Sequence, residues 1–117
     1  MIYKTTDRTG FDVLDPNGNK VGFHIDDITK NLPENLLTLC EFTIEPGPGD
    51  PPEHSHEKEC EVYYVLEGEV TFVDCGREVL CRPGDCMITD GEETHTLKNR
   101  SDRPVRVLGF MVAHKNV

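Results

Sequence analysis

Tryptophan is absent, and cations are scarce: 12 Lys and Arg stand against 22 Asp and Glu, for a formal net charge of -10. A field of that sign repels phosphate backbones and anionic lipid, which argues against nucleic acid and membrane partners. It leaves open the charge inside a small buried site. Long apolar runs are missing too. The longest, Val107 to Ala113, is broken by Gly109, and a membrane helix needs about 18 such residues. Met1 to Gly10 is polar, without a signal-peptide core. These absences predict a soluble, cytoplasmic protein. The five cysteines, Cys40, Cys60, Cys75, Cys81 and Cys86, contain no C-x-x-C pair, and their odd number prevents complete pairing within one chain. They read as reduced thiols, some packed as small apolar groups. A structural zinc on Cys75, Cys81 and Cys86 is the sharper alternative, but it lacks the usual close pairs.

Helical periodicity is also weak. Apolar residues nowhere recur at three and four for several turns. One helical turn is expected within Asp26 to Leu36, capped by Asp27 and limited by Pro33. What the chain does have is strand pattern. Leu36 to Ile44, Glu61 to Glu67, Val70 to Val73, Glu78 to Cys81, Cys86 to Thr89, Thr94 to Leu97 and Val105 to Ala113 are short β-rich runs. Gly68, Gly76, Gly84 and Gly91 separate several of them at nearly even spacing. Such spacing predicts an all-β barrel or sandwich. Earlier strands are expected at Ile2 to Lys4, Phe11 to Leu14 and Val21 to Ile25, with Asn17-Gly18 as the hairpin turn between the last two. With 117 residues the chain suits one domain, and Pro46 to Glu53 reads as a stiff internal loop.

Chemistry concentrates around His54-x-His56. Two residues apart on a strand, both imidazoles point to one side and suit one metal. Glu61 adds a carboxylate and His95 a further imidazole, a mixed nitrogen and oxygen set that suits Fe, Mn, Co, Ni, Cu or Zn. Glu59 shares the face of Glu61 and is a rival ligand or a nearby base. Cys60 on the opposite face would favour softer metals, and only one face can ligate. Tyr63, one pleat further along, is expected either to line the pocket or to pack in the core with its hydroxyl at the rim. Phe42 and Ile44 are expected inside, on the face of Cys40. His24 and His114 lie outside the cluster and read as exposed or structural.

These positions resemble the two motifs of the cupin superfamily, in its small single-domain, conserved-barrel microbial form. The first motif places His-x-His, a Glu and a Gly in order. Here His54 and His56 are followed after four residues by Glu61 and, six later, by Gly68. Gly49 precedes His54 by four residues, one fewer than in the family pattern. The second motif runs Gly, Pro-x-Gly, His, Asn, and its frame fits Gly84, Asp90-Gly91-Glu92, His95 and Asn99. Asp90 and Glu92 depart from the motif proline and glycine, and the segment Glu69 to Arg82 leaves little room for a lid.

The resemblance implies a single cupin barrel (a double-stranded β-helix, or jelly roll) over 36–113, with N-terminal strands, in one domain covering 1–117. It implies one divalent transition metal on His54, His56, Glu61 and His95, and Asn99 as a structural hydrogen-bonder. Two functions stay open. One is a metal-dependent enzyme (dioxygenase, isomerase, epimerase or decarboxylase/lyase) acting on a keto, enol or carboxylate compound, with Tyr63, Glu59 and Glu93 as candidate proton carriers. The other is a non-catalytic cupin that holds or senses a metal or small ligand. A homodimer is expected, because both faces of Glu61 to Leu66 are apolar; a second copy or the N-terminal strands would cover the outer one.

Overall fold

The computed structural model describes residues 2–29, 31–47, 59–90 and 93–113. Among the described residues nine strands follow in order: β1 (Thr9–Leu14), β2 (Lys20–Asp27), β3 (Leu36–Ile44), β4 (Glu59–Glu67), β5 (Val70–Asp74), β6 (Arg77–Cys81), β7 (Cys86–Asp90), β8 (His95–Lys98) and β9 (Val105–Ala113). They form a six-stranded sheet in the order β1-β2-β3-β9-β4-β7 and a three-stranded sheet in the order β6-β5-β8. Every pairing is antiparallel. The fold is therefore all-β, as the strand spacing predicts, and the core lies between the sheets around Phe42, Tyr63, Val65, Phe72, Leu97 and Val107.

Register decides what faces inward. In the large sheet, Glu61 pairs with Met111 on one side and Thr89 on the other, and Met111 pairs with Thr38. One pleat along, Asp27, Cys40, Gly109, Tyr63 and Met87 form a continuous row across five strands. The next inward row holds Ile25, Phe42, Val107 and Val65. Since side chains alternate along a strand, all three rows share the barrel interior. Gly109 has a packing reason. A Cβ there would overlap the ring of Phe42, which needs that space to sit 5.9 Å from Tyr63, centroid to centroid. Gly68 turns β4 into β5 at φ 82°, where a Cβ would stand 2.8 Å from the Pro104 carbonyl oxygen.

Asn17-Gly18 does turn β1 into β2: Asp15 Oδ1 accepts from the Asn17 and Asn19 amides at 2.9 Å each, and Gly18 takes φ 84°. Two local expectations fail. Ile2 to Lys4 is not a strand. The Lys4 amide instead donates to Asp7 Oδ2 at 2.8 Å and caps a 3-10 turn over Thr5–Asp7. No helical turn forms among the described residues of the stretch from Asp26 to Leu36. Asp27 belongs to β2, where its carboxylate accepts from Cys40 Sγ at 3.2 Å rather than from a helix amide. The chain instead reverses at Glu34 and Asn35, with Glu34 at φ 53°. Tertiary pairing with β3 outweighs the local capping signal.

The N-terminal strands extend the sheet beyond β3 and do not fold over β4. Tyr64 is 43% exposed and Ile88 63%. Asn99 is buried and structural, as expected: its Nδ2 donates to the carbonyls of Ile44 and Arg103 at 2.8 and 2.7 Å, and its Oδ1 accepts from Ser101.

Replacing Gly109 by Ala should destabilise the protein by about 1–3 kcal/mol through overpacking against Phe42. Urea unfolding of the two forms measures this, and an unchanged midpoint would contradict the packing argument. A second expectation concerns His24, which is clamped between Asp12 Oδ1 at 2.9 Å and Asp26 Oδ1 at 3.3 Å. The hydrogen bond to Asp12, followed by the charge of Asp26, raises its pKa above the usual range against the opposing effect of partial burial. A raised folded-state value means that the clamp's contribution is complete below about pH 6.5 and is lost as pH rises through the folded value. NMR titration should place His24 above 6.5, and Asp12→Asn should bring it down; equal values in both proteins would remove the clamp.

Candidate metal centre

Glu61 and His95 come from different sheets and meet inside the barrel. Both are buried, His95 completely. His95 Nε2 lies 3.0 Å from Glu61 Oε1, and His95 Nδ1 lies 3.0 Å from the Glu93 carbonyl oxygen. A carbonyl oxygen can only accept, so Nδ1 carries the proton and donates it. In the neutral ring, Nε2 then turns a lone pair toward the carboxylate. Two lone pairs at that distance need a proton or a cation between them. On the other side of the carboxylate, the Tyr63 hydroxyl donates to Glu61 Oε2 at 2.5 Å. Burial first, then the neighbouring Glu61 charge, pushes the Tyr63 phenol far above its ordinary pKa, so it stays protonated and keeps donating. Tyr63 also stacks in tilted contact with His95 and Phe72, at 6.1 Å to each. It is thus both a core ring and a polar neighbour of the site, which joins the two sequence readings.

The alternatives at the start of β4 separate by face. Cys60 Sγ donates to Asp90 Oδ1 at 3.2 Å on the outer side of the sheet. Glu59, at the first position of β4, is half-buried and pairs with Ala113. Glu93 contributes its backbone to His95, while its exposed side chain gathers with Asp74 and Cys75. His54, His56 and His114 lie outside the described residues, as does most of the loop from Pro46 to Glu53. Among the described residues Cys75, Cys81 and Cys86 form no metal-sized group, and no disulfide links any of the cysteines. A zinc site on those three cysteines is therefore set aside: Cys81 is buried at the end of β6, while Cys75 and Cys86 are exposed in the β5–β6 turn and on β7.

A cavity of about 310 Å³ opens beside Glu61 and Tyr63. Its walls are mostly apolar, from Phe11 and Val13 of β1, Phe23 and Ile25 of β2, and Phe42. Its polar lining includes Asp27 and Cys40, which the sequence reading did not connect with a site. The signal was present only as alternation. Cys40 shares the inward face of Phe42, and Asp27 pairs with Cys40 across β2 and β3. Burial, then the hydrogen bond to Asp27, pushes the Cys40 thiol up to about 12, so it remains a donor.

Comparison with known proteins agrees with this architecture. The cupin domain family matches residues 40–112. An oxalate-binding protein of Thermotoga maritima is 37% identical over 59 residues, which span 50% of this chain and 49% of that protein. The chain thus matches about half the length of that relative. A predicted oxalate decarboxylase structure from Thermotoga maritima superposes with a TM-score of 0.84 at 24% identity, covering 97% of this chain and 99% of that one. FeII HppE shares the fold with a TM-score of 0.77 at 16% identity, over 95% of this chain and 59% of that one. No helix among the described residues is long and apolar enough to cross a membrane. With two antiparallel sheets, an inward carboxylate and imidazole, and a family match across most of the barrel strands, the chain belongs to the cupin domain family.

Proposed function

We propose that residues 1–117 form one domain whose barrel, 36–113, binds one divalent transition metal through His54, His56, Glu61 and His95. In this reading it acts in the cytoplasm as an enzyme on a small keto, enol or carboxylate compound. The observation that carries the reading is the pairing of His95 Nε2 with Glu61 Oε1 at 3.0 Å beside an apolar cavity. Glu61 Oε1 and His95 Nε2 stand close enough to be shared by one ion, and they are the anionic oxygen and imidazole nitrogen that a divalent metal would take. The Nδ1–H held by a backbone carbonyl is the support that metal-bound imidazoles ordinarily have. The donor set therefore fits Fe, Mn, Ni, Co, Cu or Zn, and FeII HppE shows the fold alongside iron. When bound, the metal supplies Lewis-acid stabilisation of an enolate or, if redox-active, oxygen chemistry.

The chain's own residues do the rest. Tyr63 holds one carboxylate oxygen of Glu61 and so turns the other toward His95. Phe42 and Phe72 pack against Tyr63 and exclude water behind it. Of the candidate proton carriers Tyr63, Glu59 and Glu93, Tyr63 is the one among the residues that line the cavity. A second reading, a cupin that holds its ligand without turnover, draws on the relative named as oxalate-binding. Turnover of a keto or enol acid by the loaded protein, lost on chelation, separates the two.

Metal analysis tests the site directly. Wild type should hold one equivalent, and His56→Ala and His95→Ala should lose most of it. Glu61→Gln should lose more than Cys60→Ser. Unchanged stoichiometry in both histidine variants would remove the assignment, and the reverse order of the last two would move it to the other face of β4.

We also propose a homodimer built on the outer face of β4. There Val62 lies between Phe110 and Ile88, and Tyr64 between Leu108 and Cys86, in an apolar, partly exposed surface that β1 and β2 leave uncovered. A second copy supplies the matching apolar cover that a two-sided strand requires. Light scattering at micromolar concentration should give twice the chain mass, and Ile88→Lys should return it to one; a monomeric wild type refutes the dimer.

A further inference from the structure

The cavity has a second polar end that the metal reading does not use. Asp27 lines it from β2, while Glu61 lines it from β4, with β3 and β9 between those strands. Three strand spacings separate them, about 14 Å along the sheet at ~4.8 Å each and less across the curved interior. Cys40 Sγ donates to Asp27 Oδ1 at 3.2 Å and fixes the carboxylate. Among the described residues Oδ2 takes no hydrogen bond, so one acceptor remains for a ligand. Between the two ends the walls are Phe11, Val13, Phe23, Ile25 and Phe42.

Size and charge both discriminate. About 310 Å³ corresponds to roughly ten waters at ~30 Å³ each. A two-carbon dianion such as oxalate would leave most of that space as water against aromatic walls. It would also be too short to reach Asp27 from the Glu61 end, and a longer diacid would set its second carboxylate against Asp27, an acceptor with nothing to donate when ionised. We propose that the ligand of this cavity is a monoanionic acid with an apolar or aromatic body and, at its far end, a hydroxyl or ammonium group that donates to Asp27. The acid end rests on the metal-centre reading; the donor end rests on Asp27 and Cys40 alone.

The test is calorimetric titration of the manganese-loaded full chain with oxalate, phenylpyruvate and 4-hydroxyphenylpyruvate. The hydroxylated acid should bind about tenfold more tightly than phenylpyruvate, the gain of one hydrogen bond to a charged acceptor. Both should bind more tightly than oxalate. Asp27→Ala should bring the ratio of the two aryl acids close to one, leaving phenylpyruvate within about twofold. Asp27→Asn, which keeps the shape and a partner for Cys40, should lower the ratio without abolishing it. A tenfold ratio that persists in Asp27→Ala, or oxalate as the tightest wild-type ligand, overturns the inference. Repeating the series after chelation separates it from the metal reading. Loss of affinity for both aryl acids together, with their ratio kept, supports both ideas. Unchanged affinities with the ratio kept would remove the metal from the acid end and leave the assignment of Asp27 standing.

Discussion

Glu61 is a carboxylate placed where water barely reaches, and much of the interior is arranged around that fact. A buried anion is tolerated only with hydrogen bonds and a counter-charge. Tyr63 supplies the hydrogen bond from the same strand, and His95 supplies the facing nitrogen from the opposite sheet. The two sheets must therefore close to a fixed distance, which is set by the aromatic packing of Phe42, Tyr63 and Phe72. Gly109 makes that closure feasible from β9, where any side chain would overlap the ring of Phe42. The polar pair and the apolar core are thus one construction rather than a site set into a finished barrel.

Much of this was legible in the sequence, because strand alternation has a period of two. The spacing of β-rich runs and turn glycines is enough to predict the strands from β3 onward. Placing Glu61 and Tyr63 on one face and Cys60 on the other needs only parity along β4. The resemblance to cupins then pairs Glu61 with His95, residues that parity alone cannot connect because they lie in different sheets. The contribution of Asp27 was hidden for the same reason. Its role depends on which residue of β3 lies opposite it, and that register comes from the β2–β3 pairing. Locally, Asp27 before a polar stretch looks like a helix cap.

The failed strand at the N-terminus has a local cause. Ile2 to Lys4 carries β-favouring residues, but among the described residues no strand pairs with it. Local hydrogen bonding from Asp7 takes the chain into a 3-10 turn instead. Arg8 then reaches Glu41 Oε2 at 3.3 Å, and Glu41 is also held by Arg106 of β9. Such ties depend on residues far apart in the chain and leave no periodic trace.

One feature of the sheet order bears on how the cavity fills. Its outer wall is β1, bonded among the described residues to β2 alone and so at the sheet edge, whereas its floor is the β3-β9-β4 centre. Edge strands open at lower free energy than central ones. A molecule entering past Phe11 and Val13 therefore need only loosen the rim, with the barrel intact behind it. Once seated, it shares contacts with that rim and slows its opening. Amide-hydrogen exchange along β1 would then report occupancy from a distance, even though no atom of the metal-binding set lies on that strand.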